Sequence, residues 1–394
     1  MIFTNQVQDL SKSVVFFGCK HTTLEVMKSY LENVGPINSL VTISKEKGIK
    51  NQVSGFKDLS VFCSENKIEM YYANDYNLKS SDDYEWIKNK KFTIAFVMGW
   101  QRLIPKNVLN SVLHGFYGMH GSPKDLPFGR GRSPLNWSLI LNAKSFTTNL
   151  FKYDDSIDGG SIVEKLKFDI SENDDILSLH YKNLLSMCYL IENNSSELLE
   201  GTKSLSLQKK AVPTYYPKRS PQDGFIDWNL HSLHIYNFVR AQTKPFPGAF
   251  SFINKSKIFI WKCKPFNFFK VDEVSNCGEI LFVFSNGHLL VKTRNSALLI
   301  EDYELEEDEF FDPRKTSAWF IDDVFNNNNF FLNSNVIENT DNIVLEKTVV
   351  NEEIEYEIKI IFENNPFILR KIDILGDNFL LSLSFYNHKY NESF

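Results

Sequence analysis

The segment Ser13-Val14-Val15-Phe16-Phe17-Gly18-Cys19-Lys20-His21-Thr22-Thr23 decides the fold of the N-terminal half of the chain. Its continuous apolar run ends at a glycine, which is typical of a buried strand that leads into a turn. Residues 22–34 then carry apolar side chains at helical spacing and stop at Gly35-Pro36. Residues 40–44 form the next apolar segment, so the pattern predicts a right-handed strand–helix–strand unit with parallel strands.

The same alternation continues with strand-like segments at 67–72 and 92–99. The fold class that follows is α/β, with a Rossmann-like, mostly parallel sheet that binds ligands at the carboxyl ends of its strands. A dinucleotide site would require Gly-x-Gly-x-x-Gly in the first turn, so that the backbone can approach a pyrophosphate. Residues 18–23 supply only the first of these glycines, which disfavours a nicotinamide cofactor.

The C-terminal half has a different pattern. A helix is predicted from about 174 to 199, and short alternating strands follow between 257 and 292, which indicates a small β-barrel-like domain. Alternation resumes at 353–360 and predicts a β-rich extension. We therefore divide the chain into a Rossmann-like catalytic domain at 1–205, a linker, helix and small β domain at 206–311, and a C-terminal β-rich extension at 312–394, whose role the sequence does not indicate.

Composition excludes several classes of protein. The 394 residues carry a net charge of −6, from 43 Lys and Arg against 49 Asp and Glu, which argues against a dedicated nucleic-acid binder. The five cysteines are scattered without a Cys-x-x-Cys pair, as expected for reduced thiols in the cytoplasm, and no metal site is predicted. The N-terminus lacks a signal-peptide pattern, and no apolar run reaches the ~20 residues of a membrane helix. We expect a cytoplasmic protein that binds neither membrane nor nucleic acid.

The glycine-, proline- and arginine-rich segment from Gly118 to Trp137 carries the candidate chemistry. His120 lies in it shortly after a predicted strand, where a general acid/base could be presented to a ligand. Further along, Asp158-Gly159-Gly160 places a carboxylate on a tight turn, and such a carboxylate can orient an imidazole and stabilise its protonated form. One histidine and one aspartate alone leave a catalytic and a structural role both open.

These residues resemble the signature of the folate-dependent formyltransferases, the family of methionyl-tRNA formyltransferase and of the sugar N-formyltransferases. The family pattern is Asn-x-His-x-Ser, then Leu-Pro-x-x-Arg-Gly-x-x-Pro, then Asp-x-Gly. The matching residues here are His120, Ser122, Leu126-Pro127, Arg130-Gly131, Pro134 and Asp158-x-Gly160. Residues 132–137, 223–228 and 238–249 look more like the sugar branch than the tRNA branch. The resemblance covers roughly residues 13 to 300.

The resemblance implies transfer of a formyl group from 10-formyltetrahydrofolate to the amine of a nucleotide-linked (dTDP or UDP) amino deoxysugar, for surface polysaccharides such as lipopolysaccharide. It makes His120 the acid/base and oxyanion-stabilising group and Asp158 its orienting partner. It also implies a homodimer that binds folate without a metal. The pterin of the folate is expected along Val97, Met98, Gly99 and Trp100. The candidates for binding the acceptor are Gln101, Arg102, Arg130, Arg240 and Phe246.

One departure from the family pattern concerns the residue two positions before His120. The family has an asparagine there that polarises the formyl carbonyl, and this chain has Gly118. Loss of one oxyanion donor typically costs about 10²–10³ in rate. Another group could supply the donor, the enzyme could be slow or specialised, or catalysis could be lost while binding is kept. If the segment is family-like, Gly118→Asn should stay active, whereas inactivation would indicate a site rebuilt around a small residue.

Two alternative functions stay open. One is a catalytically altered member that acts as a folate or nucleotide-sugar binding protein. The other is a methionyl-tRNA formyltransferase, which the acidic balance of the chain disfavours because tRNA binding relies on phosphate-neutralising lysines and arginines.

Overall fold

The computed structural model describes residues 12–253, 256–267 and 276–306, together with the secondary structure and pairing of four strands between 335 and 369. The helices are α1 (His21–Asn33), α2 (Lys45–Lys50), α3 (Ser60–Glu65), α4 (Ser81–Lys90), α5 (Lys106–Leu109), α6 (Pro134–Ile140), α7 (Ile176–Glu200) and α8 (Ser232–Arg240). The strands up to residue 216 are β1 (Val14–Phe17), β2 (Ser39–Thr42), β3 (Glu69–Tyr72), β4 (Ile94–Val97), β5 (Phe116–Ser122), β6 (Arg130–Gly131), β7 (Ser145–Lys152), β8 (Ile162–Asp169) and β9 (Tyr215–Tyr216). The later strands are β10 (Ala249–Ile253), β11 (Ser256–Phe266), β12 (Ile280–Val283), β13 (Leu289–Lys292), β14 (Ala297–Leu305), β15 (Asn335–Thr340), β16 (Ile343–Val350), β17 (Glu353–Phe362) and β18 (Asn365–Leu369).

The described residues divide into two compact units. The first contains the chain up to 130 with 145–169 and 180–212, and the second contains 131–144, 170–179 and the residues from 213 onward. The second unit takes two short segments from the N-terminal half, so the units are not contiguous in sequence. The domain boundaries at 205 and 311 remain a prediction.

The first unit is built on a seven-stranded sheet with the order β3-β2-β1-β4-β5-β7-β8. The first five strands are parallel, whereas β7 and β8 run antiparallel to their neighbours. The central strands β1 and β4 are entirely buried, as their uninterrupted apolar sequences require, while the edge strand β8 alternates between more and less exposed residues. This order brings the carboxyl ends of β4 and β5 together.

Apolar clusters cover both faces of this sheet. On one face, side chains from α1 and α7, including Tyr30 and Leu190, pack against Phe16 and Phe96. On the other face, Ile87 of α4 packs with Phe17 and the neighbouring strand residues. Burial on both faces holds the sheet rigid and fixes the position of the strand ends that carry the candidate site.

The second unit contains a five-stranded antiparallel sheet with the order β10-β11-β14-β13-β12. Helix α8 packs Ile235 and Val239 against it, together with the fully buried Trp228, whose indole N–H donates to Ser251 Oγ at 3.0 Å. Strands β15 to β18 pair as a separate four-stranded antiparallel sheet.

The predicted fold class is confirmed: a Rossmann-like, mostly parallel sheet is followed by antiparallel β-rich structure. None of the described helices combines the length and apolarity needed to cross a membrane.

Candidate active site

His120 lies near the end of β5, and strand alternation places it on the same face of the sheet as Gly118 and Ser122. The imidazole is 9% exposed, and its Nε2 lies 2.9 Å from the carbonyl oxygen of Gly129. A carbonyl oxygen only accepts hydrogen bonds, so Nε2 carries the proton and donates it. The neutral ring therefore has its lone pair on Nδ1.

Asp158 faces that lone pair. Its Oδ2 lies 3.5 Å from His120 Nδ1, and its side chain is 22% exposed. When Nδ1 takes up a proton, the ring becomes an imidazolium that faces the Asp158 carboxylate. The pair can thus receive one proton from a ligand and return it, and the structure brings together the two residues predicted as catalytic.

The turn that carries Asp158 explains the Asp-x-Gly spacing. Asp158 has φ +50°, a left-handed conformation that Asp and Asn tolerate better than most residues. A Cβ atom at Gly160 would overlap the carbonyl oxygen of Lys152, at the end of β7. A glycine two residues after the aspartate therefore lets the turn lie directly against the sheet.

Gln208 holds this turn and was missed by the sequence reasoning, because no motif marks it. Its side-chain amide donates to the carbonyl oxygens of Asp158, at 2.8 Å, and Gly160, at 3.0 Å. Its Oε1 accepts from Nη2 of Arg130 at 2.6 Å. Arg130 is thereby placed beside the Asp158 turn.

We expect Gln208→Leu to lower kcat about tenfold, because losing both amide donors frees the turn and a small misplacement of a catalytic group is costly. The KM for the acceptor should change less than kcat, since the turn positions Asp158. Steady-state kinetics of Gln208→Leu and of Gln222→Leu, the same exchange at an exposed glutamine, measure the effect. Equal kcat values for the two variants would contradict the positioning role of Gln208.

Ser122 shapes the loop that delivers the Gly129 carbonyl. Its hydroxyl is fully buried, donates to the carbonyl oxygen of Phe128 at 2.7 Å and accepts from the backbone N–H of Lys124 at 3.2 Å. The serine of the motif therefore fixes the loop that orients His120.

The predicted pterin segment, Val97 to Trp100, begins beside Gly118, since Val97 and Gly118 are register partners. The Met98 carbonyl accepts from Thr23 Oγ1 at 2.5 Å, and Gly99 has φ +81°. Trp100 is buried, with its indole ring edge-on to Tyr76 at 4.7 Å between centroids. These contacts fix the segment, and its first residue, Val97, lies opposite Gly118, two residues before His120.

The candidates for the acceptor site fall in different places. The Arg102 guanidinium stacks on Tyr76 at 4.7 Å and its Nη2 donates to Asn51, while the Gln101 backbone N–H donates to the Tyr76 hydroxyl. Both residues are partly exposed and directly follow the pterin segment.

Arg240 and Phe246 belong to the second unit. Arg240 is buried, and its Nη1 donates to the carbonyl oxygens of three residues, at 2.6 to 3.2 Å; these are Ser171, Glu172 and Asp174. The guanidinium of Arg240 therefore holds this chain segment in place. These contacts give no support to the predicted role of Arg240 in binding an acceptor. Phe246 is partly exposed after α8.

The space beside Gly118 is occupied by Tyr153. A Cβ atom at residue 118 would overlap the Tyr153 ring and would lie 2.6 Å from the hydroxyl oxygen. This geometry argues against a family-like arrangement in which Gly118→Asn stays active, and it favours a site rebuilt around a small residue. Tyr153 was also missed from sequence, because only the pairing of β5 with β7 brings it there.

Parts of the chain are similar to known proteins. Residues 218–316 match the family model described as formyl transferase, C-terminal domain. The bifunctional polymyxin resistance protein ArnA of Wigglesworthia glossinidia brevipalpis is 35% identical over 198 residues, which are 50% of this chain and 30% of that protein. The chain therefore spans under a third of this relative's length.

Two solved structures share the fold. The N-formyltransferase from Helicobacter canadensis, in complex with folinic acid and dTDP-3-aminofucose, is 17% identical with a TM-score of 0.56, over 74% of this chain and 100% of that one. WlaRD, a sugar 3N-formyl transferase in the presence of dTDP and 5-N-formyl-THF, is 18% identical with a TM-score of 0.52, over 76% of this chain and 99% of that one.

Proposed function

From its resemblance to the folate-dependent formyltransferases, and among them to the sugar N-formyltransferases, we propose that this chain is a sugar N-formyltransferase. It transfers the formyl group of 10-formyltetrahydrofolate to the amine of a dTDP- or UDP-linked amino deoxysugar. We also propose that the enzyme is a cytoplasmic homodimer and that its formylated sugar is used in the biosynthesis of surface polysaccharides.

The observation that carries the proposal is the His120–Asp158 pair. With Nε2 committed to the Gly129 carbonyl, Nδ1 is the ring atom available for proton transfer, and Asp158 stands 3.5 Å from it. Acyl transfer to an amine needs such a group, because the amine loses a proton as it becomes an amide. His120 lies on β5, the strand next to β4, whose end carries the segment proposed for the pterin.

The reaction then proceeds by addition and elimination. The neutral sugar amine attacks the formyl carbon, a C–N bond forms, and the carbonyl π electrons move to oxygen. The His120–Asp158 pair takes the proton that the new ammonium loses. The oxyanion collapses, the bond to N10 of the folate breaks, and N10 receives the proton, which leaves tetrahydrofolate and the formamide.

The acceptor class is inferred from charge and position. A nucleotide diphosphate needs cationic or N–H donors, and we assign this role to Gln101 and Arg102, which follow β4, and to Arg130, which lies beside the Asp158 turn. The net charge of −6 suits a small acceptor better than tRNA. The dTDP-amino sugar bound by the Helicobacter canadensis protein supports the same class.

The test is turnover of a panel of dTDP- and UDP-linked amino sugars with 10-formyltetrahydrofolate, followed by release of tetrahydrofolate and by the mass of the product. We expect one acceptor to gain a single formyl group. Binding of folate and nucleotide sugar without any product would instead support the catalytically altered binding protein. Formylation of methionyl-tRNA in place of every sugar would overturn the assignment of the acceptor.

A further inference from the structure

We propose that the Tyr153 hydroxyl is the oxyanion donor of this site, in place of the asparagine that Gly118 replaces. The inference rests on the proposed formyl transfer and assigns a further catalytic residue to it. Tyr153 donates its phenolic O–H to the formyl oxygen and stabilises the negative charge that develops there.

The position of the ring follows from the pairing of β5 and β7. Gly118 and Phe151 are register partners, and the Tyr153 backbone N–H extends the pairing by donating to the Phe116 carbonyl at 2.7 Å. Tyr153 lies one residue beyond the end of β7 and continues its alternation, so it projects to the same side as Phe151, and the two rings stack at 5.1 Å with an interplanar angle of 19°. The absence of a side chain at 118 is what leaves room for the Tyr153 ring.

The hydroxyl lies close to the side-chain position of residue 118, at about the distance from Cβ that an asparagine amide would have. Its oxygen is 2.6 Å from the position that a Cβ atom of residue 118 would occupy, and an asparagine carries its amide nitrogen only two bonds beyond Cβ. Gly118 and His120 share one face of β5, about 7 Å apart along the strand. A carbonyl bound between them can therefore meet the hydroxyl on one side and the imidazole on the other.

The chemical state of the hydroxyl suits a donor. Burial and, to a lesser extent, the neighbouring Asp158 carboxylate raise the pKa of Tyr153 above its ordinary value, so the phenol keeps its proton. Among the residues that the structure describes, no hydrogen bond of this hydroxyl is found. A protonated donor with no protein partner on the catalytic face is available to a ligand.

In the reaction the hydroxyl moves no atoms to the product. As the C–N bond forms and the carbonyl electrons shift to oxygen, the O–H of Tyr153 shortens its hydrogen bond to that oxygen. When the oxyanion collapses the bond weakens again, and the proton stays on the tyrosine. The amine proton leaves separately, through His120 and Asp158.

The first test is Tyr153→Phe, which keeps the ring over Gly118 and removes only the hydroxyl. We expect kcat to fall about 10²-fold, at the lower end for an oxyanion donor, with little change in the KM for the sugar acceptor or in the thermal unfolding temperature. Tyr30→Phe, at a fully buried tyrosine in the core cluster around Phe16, is the matched control and should keep the wild-type kcat. Wild-type kcat in Tyr153→Phe would overturn the proposal.

The second test exchanges the two donors. In Gly118→Asn the new side chain collides with the Tyr153 ring, so both the unfolding temperature and kcat should fall. The double variant Gly118→Asn/Tyr153→Ala removes the ring and places an amide in the same space, and we expect its kcat to exceed that of Tyr153→Ala by about tenfold. A fully active Gly118→Asn single variant would show that the ring does not hold this space, which contradicts the proposal.

A binding measurement separates failure of the Tyr153 assignment from failure of the proposed function. Calorimetry compares 10-formylfolate with folic acid, which differ only in the formyl group. Tyr153→Phe should weaken binding of 10-formylfolate about tenfold and leave folic acid unchanged. If the wild type turns over no acceptor, the proposed formyl transfer is wrong. A selective loss of 10-formylfolate binding in Tyr153→Phe would then still support a contact between the Tyr153 hydroxyl and the formyl carbonyl. Equal effects on both compounds, or binding of neither by the wild type, would overturn it.

Discussion

Replacing His120 by either amide residue is expected to lower kcat about 10³-fold, within the range that general acid/base groups supply. His120→Gln can place an amide nitrogen near the position of Nε2, where it can donate to the Gly129 carbonyl. His120→Asn can place its amide nearer Nδ1, facing Asp158. Neither amide can take the proton that the sugar amine loses, so both variants should lose turnover while keeping one of the two contacts of the imidazole.

The two variants also separate chemistry from packing. His120 is buried, so each variant is checked by thermal unfolding and by affinity for folic acid, and both quantities should stay near the wild-type values. Single-turnover rates of formyl transfer then measure the chemical step alone. A wild-type rate in either variant would mean that His120 serves only as a hydrogen-bonding group, and the proton acceptor would have to be sought elsewhere.

The fold was predictable because its signals are local and repeated. The apolar runs of β1 and β4 and the helical spacing of α1 give the parallel sheet, and the predicted ends of α1 lie within one residue of those observed. The start of α7 was less well predicted. The pattern predicts it at about 174, whereas the helix begins at Ile176, where Asp175 Oδ1 accepts from the backbone N–H of Ser178 at 2.8 Å.

The candidate site was predictable only where a motif marks it. His120 and Asp158 come together as expected, because Gly160 lets the turn approach β7. Gln208 and Tyr153 belong to no recognisable motif. Their positions depend on contacts between residues far apart in the chain, which one sequence does not reveal. The glycine at position 118 nonetheless indicates that another side chain could occupy the place of the family's asparagine.

Arg240 illustrates a residue whose role its sequence context leaves open. An arginine in a family-like segment suggested a diphosphate contact, but its Nη1 holds three backbone carbonyls before and at the start of α7. Carbonyl oxygens that are turned away from water need a donor, and a guanidinium can satisfy several at once. The sequence cannot distinguish a structural arginine from one that binds phosphate, because both roles use the same planar set of N–H donors.

Replacing Asp158 by asparagine should lower kcat about 10³-fold, on the order of the loss when a catalytic histidine loses its acidic partner. Asparagine is nearly isosteric and also tolerates the left-handed conformation at φ +50°, so the turn held by Gln208 should persist. What is lost is the negative charge opposite Nδ1, which stabilises the imidazolium that forms as the amine gives up its proton.

Asp155→Asn provides the matched control, because it removes the same charge from the same loop. Asp155 is exposed and pairs with Lys106 at 3.2 Å, a surface interaction of small energetic weight. Asp155→Asn should therefore keep the wild-type kcat, while Asp158→Asn loses it with KM for folate little changed. Equal losses in the two variants would trace the effect to the charge of the loop as a whole. A loss in Asp158→Asn alone would assign it to the carboxylate that faces His120, and so to the step in which the ammonium is deprotonated.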